Sequence, residues 1–389
     1  MLCFAANLIA HSDRVSISVA LPAMMRERGW DTADAGWVLS GFFLGYTLLM
    51  IPVGLVTQRI GTRPVFAACM SWWSLFTLLT PLPRSLGGLA AMRVMLGVGE
   101  SGTASCINGT LVRWFPPGEY SRAASICWSA GYAGPIIAVP AATWLLHRFG
   151  WQAIFAVFGI AGFLWLPFWL RVEDKGSADA ASTRAPWAAL LASRAVWALF
   201  ALHFSSNWFL YVMISWLPTY LVNERHLSLP AMAAGSSLPF ACAWIGANGF
   251  AQWLDHASAR MSRTRARKLL LIPYAIAAVC VFAAPTAPSP AVTVALLCLA
   301  MGFLGAATPV FAAGSLDLAP RFAGALAAAQ NAFANLAGII APALVGYLVR
   351  GAGWNAAFAL TAGVAACGIV AYAAFGNGEE IALTPSPEP

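Results

Sequence analysis

Asp13, Arg14, Arg93 and Glu100 each stand inside a long apolar run, where a charge costs on the order of 2.5–3.5 kcal/mol at a helix centre. Their types divide the chemistry. Arginine keeps its charge and presents a planar fork to a carboxylate, so Arg14 and Arg93 are candidates for binding an anion. A desolvated carboxyl can take up a proton, so Glu100 and Asp13 are candidates for proton coupling. Arg93 and Glu100 are seven residues apart, two helical turns, and share a face with about 10 Å of rise between them. Asp13 and Arg14 are adjacent and project about 100° apart, free to meet different partners. The four charges cancel, as a buried cluster requires. The plain alternative is a set of ion pairs that only locks helices together, but charges inside spans mark ion or proton paths more often than not.

The second part of the chain carries neutral polar groups instead. Asn207, Trp208 and Tyr211 lie in one apolar run, and Gln330, Asn331 and Asn335 in another. Asn331 and Asn335, four apart, share a helix face. Amides and phenols suit substrate recognition, although a helix-to-helix bond is an equal use for the asparagines and an interfacial belt an equal use for Trp208. The expected division places charge and proton in the first part, hydroxyl and amide contacts in the second. His11 and His203 are expected as neutral, bonded imidazoles. The five histidines show no ligand spacing, and HExxH, P-loop and GxSxG motifs are missing. An enzyme, a metal site and a bound cofactor are therefore not expected, and the proton is the only coupling ion invoked. Eight cysteines without a CxxC pair read as small reduced hydrophobes.

These groups need helices to hold them in a membrane. The 389 residues are 60% hydrophobic and 10% charged, with mean hydropathy +0.73, which selects the integral membrane class. A spanning helix needs about 20 apolar residues, and twelve runs qualify: 2–24, 36–57, 64–82, 87–113, 122–147, 151–171, 194–221, 230–254, 268–286, 291–315, 321–350 and 353–375. The first is not a cleavable signal, because it lacks a basic leader and HSDR interrupts it. The polar stretch 172–193 reads as a linker between a first half, 1–171, and a second, 194–375, followed by a polar tail, 376–389.

With the N-terminus inside, fourteen Lys and Arg fall in inner loops and six in outer ones, so both termini are expected in the cytoplasm. The net charge of +7 is thus an orientation signal, with the bilayer as partner and no nucleic acid. The halves also echo each other. PAATWLLHRFGWQAIF from Pro140 matches PALVGYLVRGAGWNAAF from Pro342, and Leu21-Pro22 with Glu27-Arg28 matches Leu217-Pro218 with Glu224-Arg225. Parallel repeats of this kind place a substrate site at the midplane between halves. The fold class is all-α integral membrane, twelve transmembrane helices in two six-helix halves.

The combination of Asp13-Arg14, the Arg93-to-Glu100 spacing and Asn207-Trp208-x-x-Tyr211-x-x-x-x-Trp216-Leu217-Pro218 resembles the major facilitator superfamily, in particular its anion:cation symporter branch of sugar-acid carriers, sialin and vesicular glutamate transporters. Gly41-Phe42-Phe43-x-Gly45-Tyr46, Trp114-Phe115-Pro116 and Gly338-Ile339-Ile340-Ala341-Pro342 add to it. The resemblance implies proton-coupled symport of a small organic anion by alternating access, in a monomer at the inner (plasma) membrane. It implies that Asp13, Arg14, Arg93 and Glu100 serve coupling and anion binding, that Tyr46 lies near the cavity, and that Asn331 touches substrate. The family's loop signature G-x-x-x-D-R-x-G-R-R stands here as Gly54-x-x-x-Gln58-Arg59-x-Gly61-Thr62-Arg63. Gln58 in place of the acid implies a weaker cytoplasmic lock on the outward-facing state. The chain also begins almost inside its first helix, without the family's polar leader.

Two rival readings fit the residues less well. Drug/proton antiporters of the same fold carry G-x-x-x-G-P-x-x-G-G on the fifth helix, whereas Gly131-Tyr132-Ala133-Gly134-Pro135-Ile136 is short by one residue and lacks the closing glycines. A receptor or scaffold without transport fits poorly with two repeated halves.

Overall fold

The computed structural model describes residues 1–173 and 185–381. Those residues form fifteen α-helices: α1 Leu2–Arg28, α2 Thr32–Ile60, α3 Thr62–Leu79, α4 Leu86–Glu100, α5 Thr103–Trp114, α6 Pro117–Phe149, α7 Trp151–Trp169, α8 Trp187–Ala192, α9 Arg194–Asn223, α10 Leu229–Ser258, α11 Arg263–Leu269, α12 Leu271–Ala283, α13 Pro290–Leu304, α14 Ala307–Leu318 and α15 Ala323–Phe375. No strand occurs among the described residues. In a bilayer every backbone polar group must be satisfied internally, which helices achieve.

Eight helical segments there are long and apolar enough to cross a membrane unaided. Hydropathy misses α1, because Ser12, Asp13, Arg14, Ser16 and Ser18 interrupt it, yet its 27 residues span about 40 Å. The fourth crossing is broken between α4 and α5, the ninth between α11 and α12, the tenth between α13 and α14. Helix α15, 53 residues long, is about 80 Å of helix and serves as two crossings. It turns at Gly353 (φ 76°), and Gly150, between α6 and α7, has φ 85°. These are the glycines of the two GW[QN]AxF echoes. A positive φ is a conformation only glycine adopts without strain, so the repeat seen in sequence is a repeat of helix breaks. With α3, the count of crossings among the described residues reaches the expected twelve.

Local chemistry sets several ends. Asp31 and Asp34 make a reciprocal capping box at the start of α2, while Ser85 and Ser289 cap α4 and α13. The expected linker is not wholly polar coil, for α8 lies inside it. Its residues 174–184 fall outside the described residues, as do 382–389 of the tail.

Contacts gather the chain into two units. One holds Met1–Ala180, Met213–Phe240 and Ile339–Gly351; the other holds Ala181–Val212, Ala241–Gly338 and Ala352–Pro389. In the first, α1 packs on α6, α2 on α4 and α3 on α7. A Cβ at Gly97 would strike the Phe42 backbone, and one at Gly45 the Val94 backbone, so α2 and α4 touch at main-chain distance. In the second unit, α12 packs on α13.

Candidate functional site

Within the first unit the four expected charges converge. Arg14 Nε donates to Glu100 Oε2 at 2.8 Å, joining α1 to the last residue of α4. The Glu100 side chain is fully buried and that of Arg14 is 10% exposed. The Arg14 guanidinium lies 4.7 Å from the Tyr46 ring centre and 5.1 Å from that of Phe42, and Arg93 lies 5.1 Å from the same Phe42. Each is a cation over an aromatic face. Asp13 and Arg93, both buried, complete the set: Asp13 is in electrostatic reach of Glu100, Arg93 and Arg14, with Thr77 beside it. Asp13, Arg14, Tyr46, Arg93 and Glu100 are thus one cluster. The close α2–α4 packing supports it, because it sets the Phe42 and Tyr46 faces against the arginines.

Phe42 is the member that sequence reasoning missed, though it stands one turn before Tyr46 on the same face of α2. His11 donates from Nδ1 to the Asn7 carbonyl, 2.9 Å away.

The second unit brings together Asn207, Tyr211, Asn331 and Asn335. Tyr211 Oη donates to Asn335 Oδ1 (2.7 Å), Asn207 Nδ2 to Tyr211 Oη (3.5 Å), and Asn335 Nδ2 to Asn331 Oδ1 (3.2 Å). Gln330 belongs to a different cluster. Its Oε1 accepts from Ser315 Oγ (2.5 Å) and its Nε2 serves the Phe311 carbonyl and His203 Nδ1, both at 3.1 Å. His203 stacks on Phe311 with ring centres 3.9 Å apart. Trp208 is buried at 3% exposure, which overturns the belt alternative for it.

One further charged pair escaped notice. Arg267, which lies just before the apolar run 268–286, is 2% exposed and bonded to Asp317, which also pairs with Arg263 at 3.1 Å. Each member sits at the end of an apolar run, so neither looks buried in sequence. The four charges of the first half are therefore not the only buried ones.

The expected gating residues lie at the junction of α2 and α3. Gly54 faces Ser105 on α5, where an added Cβ would be 3.0 Å from the hydroxyl. Gln58 and Arg59 are exposed. Arg63 donates to the Leu170 carbonyl, and its own carbonyl accepts from Trp169 Nε1 at 3.0 Å. This ties α3 to α7 and does not bring Arg63 to Gln58. All eight cysteines are free thiols.

A sequence model of the Major Facilitator Superfamily matches residues 3–342. The chain belongs to that superfamily. Its fold agrees: a D-xylose-proton symporter superposes with TM-score 0.79 at 14% identity, covering 97% of each chain, and an inward-facing, occupied bacterial homologue of the human lysosomal transporter Spinster superposes with TM-score 0.77 at 18% identity, covering 96% and 94%. Among curated relatives, the chloroplastic sodium-dependent phosphate transport protein 1 of Arabidopsis thaliana is 32% identical, over 98% of this chain and 79% of its own. The chloroplastic ascorbate transporter of the same plant is 28% identical over 98% and 75%, and a putative inorganic phosphate cotransporter of Drosophila melanogaster 31% over 91% and 74%. These relatives accord with the anion:cation symporter resemblance. The protein is a multi-pass membrane protein of a transporter superfamily.

Proposed function

We propose that this major facilitator protein is a proton-coupled symporter that imports a small organic anion, a sugar acid or related carboxylate, across the plasma membrane by alternating access, with both termini cytoplasmic and the two sequence halves, 1–171 and 194–375, as its moving parts. The observation that carries the reading is the buried Arg14–Glu100 pair at 2.8 Å, with Asp13 and Arg93 alongside. An incoming carboxylate competes with Glu100 for the Arg14 fork. Once displaced, Glu100 is a buried carboxylate without its cation, and a proton taken up there, or at Asp13, restores the neutrality of the cluster. One anion therefore travels with one proton when the anion is singly charged, and substrate and proton are linked through one guanidinium. Because the ligand favours the arrangement in which Arg14 is released from Glu100, it shifts the population of states.

A second reading has its own support: relatives named for phosphate, one of them for sodium dependence. Phosphate also suits an arginine fork. Uptake into proteoliposomes decides between them, with labelled gluconate, ascorbate and phosphate each driven by a pH gradient and by a sodium gradient. Gluconate accumulation under the pH gradient alone is the expected result. Phosphate accumulation under the sodium gradient alone overturns the proposal in favour of the second reading.

A further inference from the structure

Four helix ends of the first unit meet around a cavity of about 700 Å³. Successive crossings alternate in direction, so the start of α1, the end of α5, the start of α6 and the end of α7 all lie on the side that the basic-residue count puts inside. Their side chains Leu2, Cys3, Trp114, Ile126, Cys127 and Trp169 make its walls. The polar atoms along those walls are already bonded within the protein. Trp169 Nε1 donates to the Arg63 carbonyl at 3.0 Å, and Thr110 Oγ1, also in the wall, to the Cys106 carbonyl at 2.7 Å. The Leu2 and Cys127 carbonyls accept from Trp165 Nε1 at 3.0 Å and Asn7 Nδ2 at 2.9 Å. Such a lining offers water few partners, and apolar spaces of this kind stay dry or take an apolar guest. The volume is that of a ligand site.

The rim has the opposite character. Glu119 and Arg122 both line the cavity and both are exposed. Residues three apart on a helix are neighbours, yet these two form no ion pair with each other or with any other described residue. An acid and a base thus stand side by side at the mouth of a dry cavity, at the membrane face. We propose that this is a binding site for one inner-leaflet phospholipid whose head carries both a phosphate and a primary amine. An acyl chain fills the interior, the Arg122 fork takes the phosphate, and Glu119 takes the ammonium. A phosphatidylglycerol head has no amine for Glu119 and sets its own charge against that carboxylate. A phosphatidylcholine head has a quaternary nitrogen with no hydrogen to donate. Arg14 lies twelve residues beyond Leu2 on α1, about 18 Å of rise, so the site is distinct from the Arg14–Glu100 cluster and does not rest on the carrier reading.

The test takes the full chain, stripped of lipid in detergent, and titrates it with phosphatidylethanolamine, phosphatidylglycerol and phosphatidylcholine. Native mass spectrometry counts the lipid retained, and the rise in melting temperature reads its binding. One phosphatidylethanolamine per chain should be held about fivefold more tightly than either other lipid, the size of one charged contact at the interface. Arg122→Gln should weaken all three. Glu119→Gln should erase the preference for phosphatidylethanolamine over phosphatidylglycerol without weakening the latter. Ala123→Phe, which puts a ring into the same cavity, should abolish retention, and the two exposed charge variants decide the matter if it fails to fold. Equal binding of the three lipids by the unaltered protein overturns the proposal. So does a preference that survives both charge variants, or an unchanged lipid count in folded Ala123→Phe.

Discussion

Arg14 and Glu100 could be a helix lock or a working site, and one exchange separates the two. A lock needs only opposite charges at 2.8 Å, so the double variant Arg14→Glu with Glu100→Arg should restore whatever each single change destroys. A site needs the guanidinium over Tyr46 and Phe42, where the swap does not put it. The expected outcome is a folded double variant that binds no anion. Recovery of uptake would mean that the pair is structural. Arg14→Lys keeps the charge and loses the fork. It should raise KM by at least about tenfold, one lost charged hydrogen bond, with the melting temperature little changed, and a normal KM would remove Arg14 from the site. At this scale the cluster is legible in sequence because a charge within an apolar run is conspicuous. Phe42 is not, being one apolar side chain among many, and the Arg267–Asp317 pair is not, because both residues look like loop.

Helices place these residues, and backbone contact between helices decides where they end up. Near the start of α2, Thr32 Oγ1 donates to the Gly346 carbonyl at 2.8 Å, the Ala343 amide donates to Ser40 Oγ at 3.0 Å, and Trp216 Nε1 reaches the Pro342 carbonyl at 3.2 Å. All of these belong to the first unit, although residues 213–240 and 339–351 come from the second half of the sequence. A Cβ at Gly346 would collide with the Thr32 carbonyl, and one at Gly36 would lie 2.7 Å from the Pro342 carbonyl. Small residues allow such approach in membrane helices. Gly346→Leu should therefore hold α2 and α15 apart at this end, which the basic-residue count puts outside. Alternating access requires that end to close, so uptake should fall about tenfold or more while anion binding persists. Thiol labelling of a cysteine placed at Ser40 should rise in the variant, and unchanged labelling would sink the argument. Helix number and approximate ends were legible from apolar run length. The breaks between α4 and α5 and between α13 and α14, and the short α8 within the linker, were not: Gly102 and Gly305 stand at the two breaks, but glycine serves close packing inside membrane helices as well, and the six residues of α8 are too few for an apolar run to stand out.

For the molecule as a whole, the question is which carboxyl gives transport its pH dependence. The same closed end carries an ion pair, Arg350 to Asp31 at 3.2 Å, with both side chains nearly half exposed. Such a pair contributes about 0–1 kcal/mol, but it joins residues 319 apart in sequence, so its titration could in principle open the end. The Asp31 carboxyl is held below its ordinary value of 3.8, first by the Asp34 backbone N–H and then by Arg350. A carboxyl lowered in the folded state contributes stability that is complete above its unfolded value and is lost as pH falls through the folded one. The window for Asp31 therefore lies below about pH 4, and from about pH 5 to pH 8 its contribution is constant. Any proton dependence across that range has to arise elsewhere, and Glu100 and Asp13 are the carboxyls of the cluster. Asp31→Asn should lower uptake slightly and leave the shape of the pH profile unchanged, whereas Glu100→Gln, uncharged at every pH, should flatten it and permit only exchange of anion for anion. Initial uptake rates across the range, with internal pH clamped, make the comparison. A profile displaced by Asp31→Asn and untouched by Glu100→Gln would move the proton step from the buried cluster to the closed end.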